Sequence, residues 1–222
     1  MAHRLITHVY ESGSNARNGE MELALEINAG AFDEITVVAQ SMPRLPTFRG
    51  TWIAVTHQQR AVDLFSAARM SIPSDLVVIS HGDIAFTKHT LQMLDENITH
   101  EDAFCLSRWD LTSQGIRLFN RLDSQDTWAF RGVPRITGGQ YAMSVPGCDN
   151  RLAHDLHAAG YKVSNPAKDI RTYHLHLSAL RPSNKPELRV PPPYLHIRPA
   201  RLGEPPELSV PKIPSTGASA FQ

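Results

Sequence analysis

The residues best suited to chemistry follow the most apolar stretch of the chain. Leu76-Val77-Val78-Ile79 is typical of a buried strand, and Ser80-His81-Gly82-Asp83 comes directly after it. A carboxylate at that position can hold a divalent cation, because α/β proteins bind ligands at the carboxyl ends of strands and hard cations prefer oxygen. An aspartate that merely caps the following turn gives the same pattern. We predict that Asp83 binds a metal.

A second acid stands before a helical pattern. Gly147-Cys148-Asp149-Asn150 precedes Leu152 and Leu156, which are spaced as on one buried helix face. Asp149 or Asn150 is a suitable N-cap, but a cap needs only one of them. The functional alternative is that Asp149 is a general base that accepts a proton from a hydroxyl group.

Two histidines alternate in Thr172-Tyr173-His174-Leu175-His176. In an extended segment, residues two apart share a face, so His174 and His176 point the same way. Two imidazoles on one face suit a metal or a diphosphate, whereas a single histidine is more often an ordinary hydrogen-bonded residue. We predict a ligand-binding role for the pair.

An acid and an aromatic residue stand together in Ser124-Gln125-Asp126-Thr127-Trp128. Aromatic faces pack on sugar rings while carboxylates hold sugar hydroxyls, as expected of a pocket with apolar walls and few polar anchors. The alternative is a loop aspartate beside a core tryptophan. Arg108-Trp109-Asp110 raises the same two alternatives.

These residues need a scaffold, and strands alternate with helices through residues 1–181. The expected strands are Leu5–Tyr10, Ile35–Ala39, Thr51–Thr56, Leu76–Ile79 and Ala103–Ser107, and the expected helices cover Gly19–Asn28, Arg60–Met70, Leu91–Ile98 and the residues after Asn150. This alternation predicts an α/β fold with a mainly parallel sheet flanked by helices. The strand ends carry Glu11, Ser12, Gln40 and His81, so we expect them around one ligand.

Proline sets the C-terminal segment apart. Ten of the 16 prolines follow Arg181, including Pro191-Pro192-Pro193. Proline lacks an N–H and fixes φ, so this segment supports neither a helix nor an inner strand. We predict one domain at 1–181 and an extended arm with a flexible tail at 182–222. The arm either wraps the domain or reaches a partner, which could be a second copy of the chain.

The composition counts against several classes of protein. Lysine plus arginine and aspartate plus glutamate number 22 each, so no basic excess favours tight nonspecific nucleic-acid binding. The glycine motifs of dinucleotide and P-loop sites are absent, and so is the GxSxG motif of serine hydrolases. The sequence predicts neither a signal peptide nor a membrane span. Two cysteines without CxxC spacing fit a reducing cytoplasm, where we expect the protein.

Taken together, these segments resemble a bacterial and phage group of small proteins related to GT-A-type glycosyltransferases. The resemblance runs from roughly Leu5 to Arg181. Its motifs are Gly147-Cys148-Asp149-Asn150-Arg151, Gly160-Tyr161-Lys162-Val163, Asn165-Pro166, Tyr173-His174-Leu175-His176-Leu177-Ser178, Ser124-Gln125-Asp126-Thr127-Trp128 and Leu106-Ser107-Arg108-Trp109. The resemblance implies a Rossmann-type nucleotide-diphosphosugar fold with Mn²⁺ or Mg²⁺ as cofactor.

The resemblance also implies roles for individual residues. Asp83 matches the last acid of the metal-binding motif and would bind the metal or the ribose of the donor. His174 or His176 is similar to the C-terminal metal-binding histidine and would bind the metal or the diphosphate. Asp149 resembles the acid that serves as base or acceptor-binding group. His81 stands where the motif has an acid or asparagine, and it would bind the metal or contact the diphosphate. The remaining predicted donor-site residues are Glu11, Ser12 and Gln40 around the nucleotide, and Asp126 and Trp128 facing the donor sugar or the acceptor.

The predicted function is transfer of a sugar from a nucleotide-diphosphosugar donor to a hydroxyl acceptor on a glycan, a lipid-linked glycan or a modified DNA base. A DNA acceptor would be favoured if four arginines flank the Asp83 cleft, namely Arg117, Arg121, Arg131 and Arg135. A non-catalytic binding or assembly protein that kept the fold is a further alternative. A metal-dependent phosphohydrolase is another.

Overall fold

The computed structural model describes residues 1–41, 48–175 and 189–211. In chain order its strands are β1 (His3–His8), β2 (Glu34–Ala39), β3 (Thr51–Ala54), β4 (Leu76–His81), β5 (Ile84–Ala85), β6 (Asp102–Leu106), β7 (Trp109–Thr112), β8 (Gly115–Leu118), β9 (Thr127–Arg131), β10 (Lys162–Ser164), β11 (Tyr173–Leu175), β12 (His196–Ile197) and β13 (Leu208–Ser209). The helices are α1 (Asn15–Ala29), α2 (Ala61–Ala68), α3 (Lys88–Asn97) and α4 (Cys148–Ala158).

The central sheet has seven strands in the order β10-β6-β9-β4-β1-β2-β3. Strand β9 runs antiparallel to both of its neighbours, and the other neighbouring pairs are parallel. A smaller sheet has the order β5-β11-β7-β8, and its strand β5 begins three positions after the end of β4. Strand β12 pairs with β13. The predicted α/β fold with a mainly parallel sheet flanked by helices is confirmed.

Apolar packing covers both faces of the central sheet. On one face Ile79 lies in a buried cluster with Leu64 of α2 and Leu152 of α4. On the other, Val78 shares a cluster with Leu25 of α1, and α3 contributes to the same cluster. Strand β4 is apolar on both faces for this reason, as expected of an inner strand of a parallel sheet. Consecutive β4 residues therefore point toward different pairs of helices.

The beginning of α4 differs from its prediction. The N-cap is Gly147, with φ of 87°, and no side chain caps the helix. The expectation that Asp149 or Asn150 is the N-cap is therefore wrong. A glycine takes this position because the left-handed region is unfavourable for residues with a Cβ. Asp149 lies in the first turn of α4, where its carboxylate makes other contacts.

The first part of residues 189–211 packs on the rest of the chain, whereas residues 203–210 are exposed. Val190, Leu195 and Ile197 are buried, and the Leu195 N–H donates to the carbonyl oxygen of Asn150 at 2.9 Å. This part of the arm passes over the beginning of α4, as in the wrapping alternative. The division at residue 181 stays a prediction, and so does contact between copies of the chain through the arm.

The four arginines that would favour a DNA acceptor do not form one stripe. Arg131 pairs with Leu76 at the start of β4, and its guanidinium contacts Asp95 at 2.9 Å. Asp83 follows the other end of β4. Arg121 instead pairs with Asp123, and Arg135 donates to the carbonyl oxygen of His100. Arg117 is in register with Asp110, whose carboxylate contacts His174. Because Arg131 lies at the opposite end of β4 from Asp83, the four arginines do not together flank the Asp83 cleft.

Candidate functional site

Three polar residues form a row across the carboxyl edge of the central sheet. His8 on β1 lies beside His81 on β4 in the strand register. The His81 N–H donates to the carbonyl oxygen of Asp126 at 3.1 Å, just before β9 begins. His81 continues the alternation of Val77 and Ile79, which belong to the cluster under α2 and α4. The row therefore lies on the face of the sheet that α4 covers.

A hydrogen-bonded chain leads from this row to α4. Nε2 of His8 lies 3.0 Å from Nδ1 of His81, and Nε2 of His81 lies 3.3 Å from Oδ1 of Asp149. Burial and the neighbouring His81 lower the pKa of His8 to about 3, so His8 is neutral. Burial would lower the pKa of His81 too, but Asp149 raises it above its usual value. An imidazole can accept a hydrogen bond at one nitrogen while it donates at the other, so His81 can accept from His8 and donate to Asp149.

Asp83 follows a glycine that the sheet requires. A Cβ on Gly82 would stand 2.4 Å from the carbonyl oxygen of His8, so a larger residue would push β4 away from β1. Oδ2 of Asp83 accepts hydrogen bonds from Arg17 of α1 and from His174 of β11. Burial would raise the pKa of Asp83, but these two cationic partners hold it well below its usual range.

His174 lies between two carboxylates. Its Nδ1 is 2.9 Å from Oδ1 of Asp110, and its Nε2 is 3.0 Å from Oδ2 of Asp83. Burial would lower the pKa of His174, but the hydrogen bonds to Asp110 and Asp83 raise it to about 9. Both ring nitrogens therefore carry protons at neutral pH. A doubly protonated ring donates two hydrogen bonds and has no lone pair for a metal.

As arranged, Asp83 and His174 are bonded to each other, and each has a further charged partner, Arg17 for Asp83 and Asp110 for His174. His176 lies outside the described residues. The assignment of a metal to Asp83, His174 and His176 therefore stays a prediction from the sequence and has no support from this arrangement.

Asp126 is a buried carboxylate with one paired oxygen. Its Oδ1 accepts a hydrogen bond from Arg108 at 2.8 Å, whereas Oδ2 has no hydrogen-bond partner among the described residues. Burial raises the pKa of Asp126 and the charge of Asp149 raises it further, while Arg108 opposes both. Leaving a buried polar atom unpaired costs free energy. This oxygen is therefore suited to a cation or a hydroxyl group of a ligand.

Trp128 lies beneath the row of polar residues. Its side chain is fully buried in the core, and the centroid of its ring is 5.5 Å from that of His81. A ring without exposed surface cannot stack on a sugar. The prediction that Trp128 faces a sugar is therefore wrong, and its edge-on contact supports His81 from below. The prediction that Asp126 faces the donor sugar or the acceptor is not tested by the burial of Trp128 and stays a prediction.

A cavity of about 380 Å³ opens beside the ends of β1 and β2. Its walls are formed by residues that follow these strands and by one side of α1: Val9, Tyr10, Glu11, Ser41, Asn15, Asn18, Gly19, Met21, Glu22 and Leu25. Of the residues predicted to surround a nucleotide, Glu11 lines this cavity. Ser12 is held to the wall, since its N–H donates to Oδ1 of Asn18 at 2.9 Å. Gln40 is exposed and directly precedes Ser41.

Three side chains next to the row have the chemistry of metal ligands. Nε2 of His81, Sγ of Cys148 and a carboxylate oxygen of Asp149 lie within 4.8 Å of one another. The Cys148 thiol donates to Oδ1 of Asp149 at 3.0 Å, and burial holds the pKa of this thiol well above its usual value. Nitrogen, sulfur and oxygen ligands of this kind are typical of zinc sites.

Two members of the site are not singled out by any sequence pattern. His8 lies inside the predicted strand Leu5–Tyr10, whereas the observed β1 ends at His8, so the predicted strand end fell two residues too late. Arg17 falls in the polar stretch before the expected start of α1, and only the packing of α1 against β5 brings it to Asp83. Arg108 and Asp110, which the sequence leaves ambiguous, are ion-paired to each other.

No protein-family model and no curated protein matches the chain. Among solved structures, the chain is similar to a mannosyltransferase from Pyrobaculum calidifontis in complex with GDP-Man and Mn²⁺, with a TM-score of 0.49 and 16% identity. The similarity covers 81% of this chain and 57% of that protein, so the chain spans little more than half of its length. Nothing about donor, acceptor or metal follows from a likeness of this size. Among the described residues, no helix has both the length and the apolar composition that a membrane crossing needs.

Proposed function

We propose that the chain is a glycosyltransferase that moves a sugar from a nucleotide-diphosphosugar donor to a hydroxyl acceptor. The observation that carries this proposal is that the cavity and the His8–His81–Asp149 chain lie at the same edge of one sheet, the cavity on the face that α1 covers and the chain on the face that α4 covers. Open α/β sheets bind their ligands at this edge. The cavity volume of about 380 Å³ is within the range of small-molecule sites, roughly 300–1,000 Å³. A nucleotide in the cavity would direct its diphosphate toward the ends of β1 and β4.

Asp149 is the proposed base. As the acceptor oxygen bonds to the sugar and the bond from the sugar to the diphosphate breaks, the acceptor hydroxyl must lose its proton. The Asp149 side chain is 21% exposed, so an acceptor can reach it. Its Oδ1 is held by His81 and by Cys148, which fixes the direction of the carboxylate. His81 is then a positioning residue, backed in turn by His8.

A divalent cation is proposed as part of the reaction. Carboxylates lie close together along this edge, with Asp126 and Asp149 each acting electrostatically on His81. Bound Mn²⁺ or Mg²⁺ would neutralise the charge that develops on the leaving diphosphate. Asp126, with its unpaired Oδ2, is the described group best suited to hold such an ion.

A thermal-shift screen tests donor binding. Nucleotide sugars with different bases and sugars are added with Mn²⁺, with Mg²⁺ or with a chelator. We expect at least one donor to raise Tm, because a ligand that binds the native state stabilises it, and we expect the shift to be larger with a divalent ion. Asp126→Asn should remove the metal-dependent part of the shift, whereas Glu101→Gln, an exposed carboxylate on another surface, should retain it.

Two outcomes would count against the proposal. If no nucleotide sugar shifts Tm under any of these conditions, the chain does not bind such donors. If a donor binds but no acceptor yields a free nucleoside diphosphate, the non-catalytic binding protein is the better description.

A further inference from the structure

We propose that His81, Cys148 and Asp149 form a binding site for a thiophilic divalent cation of the zinc class. The inference does not depend on the proposed reaction, because it concerns three side chains that meet at the junction of β4 and α4 without a sugar donor. It differs from a metal at Asp83 and His174 in both its ligands and the ion it would prefer.

The separations of the ligand atoms suit a small cation. Bond lengths of about 2.0–2.3 Å place neighbouring ligands of tetrahedral zinc roughly 3.3–3.8 Å apart. Sγ of Cys148 and Nε2 of His81 lie 3.0 Å and 3.3 Å, respectively, from the same oxygen of Asp149. The remaining pair, Sγ of Cys148 and Nε2 of His81, lies within 4.8 Å, so small side-chain movements would bring all three atoms to one ion. The first turn of α4 supplies two of the ligands and β4 supplies the third.

The histidine is already oriented as a metal ligand requires. Histidines that bind metals usually hydrogen-bond through the other ring nitrogen, which fixes the tautomer and the direction of the ring. Here Nδ1 of His81 is 3.0 Å from Nε2 of His8, and the edge-on ring of Trp128 packs against it. Nε2 is left to face Asp149 and Cys148.

Asp126 is the second observation that points to a cation at this place. It lies opposite His81 across β4 and β9, is 6% exposed, and has an Oδ2 atom without a hydrogen-bond partner among the described residues. Its charge also acts on both His81 and Asp149. A cation among His81, Cys148 and Asp149 would give this buried carboxylate a second opposite charge besides that of Arg108, and a fourth ligand such as water would complete a tetrahedral set.

The sulfur ligand decides which ions bind. Thiolates select Zn²⁺ and similar ions, whereas Mg²⁺ and Mn²⁺ prefer oxygen ligands. On binding, the cation replaces the proton of the Cys148 thiol, and that proton leaves to solvent. The ion would bind the oxygen of Asp149 that now accepts hydrogen bonds from His81 and Cys148.

Cobalt substitution tests the site directly, with Co²⁺ alone as the probe and the full chain as the protein. Binding through Cys148 predicts a thiolate-to-cobalt charge-transfer band in the near ultraviolet, which added Zn²⁺ should abolish. Cys148→Ser should lose the band. Cys105→Ala is the matched control, because Cys105 is the other cysteine of the sequence and is buried in β6; this variant should keep the band.

Absence of the band in the wild-type chain would overturn the proposal, and so would a band that persists in Cys148→Ser. If Cys148→Ser does not fold, Asp149→Ala replaces it, since Asp149 is partly exposed. Competition with a chromophoric chelator should then find a Zn²⁺ affinity about ten-fold or more below that of the wild type. An unchanged affinity would reject the site. None of these measurements uses a nucleotide sugar, so their outcome is separate from that of the donor screen.

Discussion

His81 lies 3.3 Å from Asp149, although 68 positions of sequence separate the two residues. The contact joins the last residue of β4 to the first turn of α4. His8 holds the other side of the histidine ring, and Trp128 lies beneath it. The carboxylate of Asp149 is therefore fixed by the packing of the central sheet against α4, which is the feature that a base or a metal ligand needs.

Gly19 offers a way to close the cavity without disturbing the fold. It lies within α1 and lines the cavity, and a Cβ built on it meets nothing within 4 Å. Gly19→Leu should keep or raise the free energy of unfolding, because glycine is the less favourable residue inside a helix. The donor-induced rise in Tm should disappear. Gly138→Leu, at an exposed position with equal space, should bind donors as the wild type does. Normal donor binding by Gly19→Leu would place the nucleotide elsewhere.

The His174 ion pair predicts a pH-dependent stability. Its pKa in the folded chain is about 9, above the usual value of 6.5. The ion pair therefore contributes its full amount to the free energy of unfolding below about pH 6.5, and this amount is at most about 3 kcal/mol. The contribution is lost as the pH rises through about 9. Denaturant unfolding at several pH values should find the wild type more stable than His174→Gln at pH 6, with the difference shrinking toward pH 10. The exposed His89→Gln is the control, and a difference that is constant with pH would contradict the ion pair.

A substitution at Trp128 distinguishes a role in the core from a role in sugar binding. Trp128→Phe leaves a cavity, which should lower the free energy of unfolding by about 1–3 kcal/mol, although it also removes an unpaired indole N–H. The affinity for the donor, measured by calorimetry well below Tm, should change little because the ring is fully buried. Trp52→Phe on the half-buried β3 is a comparison for the loss of one indole. A large and selective loss of donor affinity in Trp128→Phe would restore the sugar-binding role.

Much of the fold is readable from sequence because β1, β2, β4 and β6 are apolar runs bounded by turns. Strand β9 is not predicted, since Thr127–Arg131 joins the sheet antiparallel through partners far away in the chain. The candidate site likewise has a part that the sequence predicts and a part that it does not. The strand-end position of Asp83 follows from local pattern, but Arg17 and His174 lie 66 and 91 positions away from it. Long-range packing therefore decides whether that carboxylate faces a metal or an ion pair.

Gly147 connects the arm to the proposed base. Its φ is 87°, and an added Cβ would lie 3.0 Å from the Tyr194 hydroxyl and 3.1 Å from the Val190 carbonyl oxygen. Gly160 has the same φ with nothing within 4 Å, so Gly160→Ala measures backbone strain alone, about 1–2 kcal/mol. Gly147→Ala should cost more in thermal or denaturant unfolding, and it should also slow transfer because Asp149 follows two residues later. Equal losses of unfolding free energy in the two variants would mean that the arm moves away from the new Cβ without a penalty.

The most direct test of the account is release of nucleoside diphosphate by wild type and Asp149→Asn, measured with a donor found in the thermal-shift screen and a panel of hydroxyl acceptors. The substitution keeps the size of the side chain but removes its basicity. We predict acceptor-dependent release by the wild type and a rate about 100-fold or more lower in Asp149→Asn, with an unchanged donor-induced shift in Tm. Glu101→Gln should match the wild type. Equal rates in wild type and Asp149→Asn would contradict the role of Asp149, and no release with any acceptor would contradict sugar transfer itself.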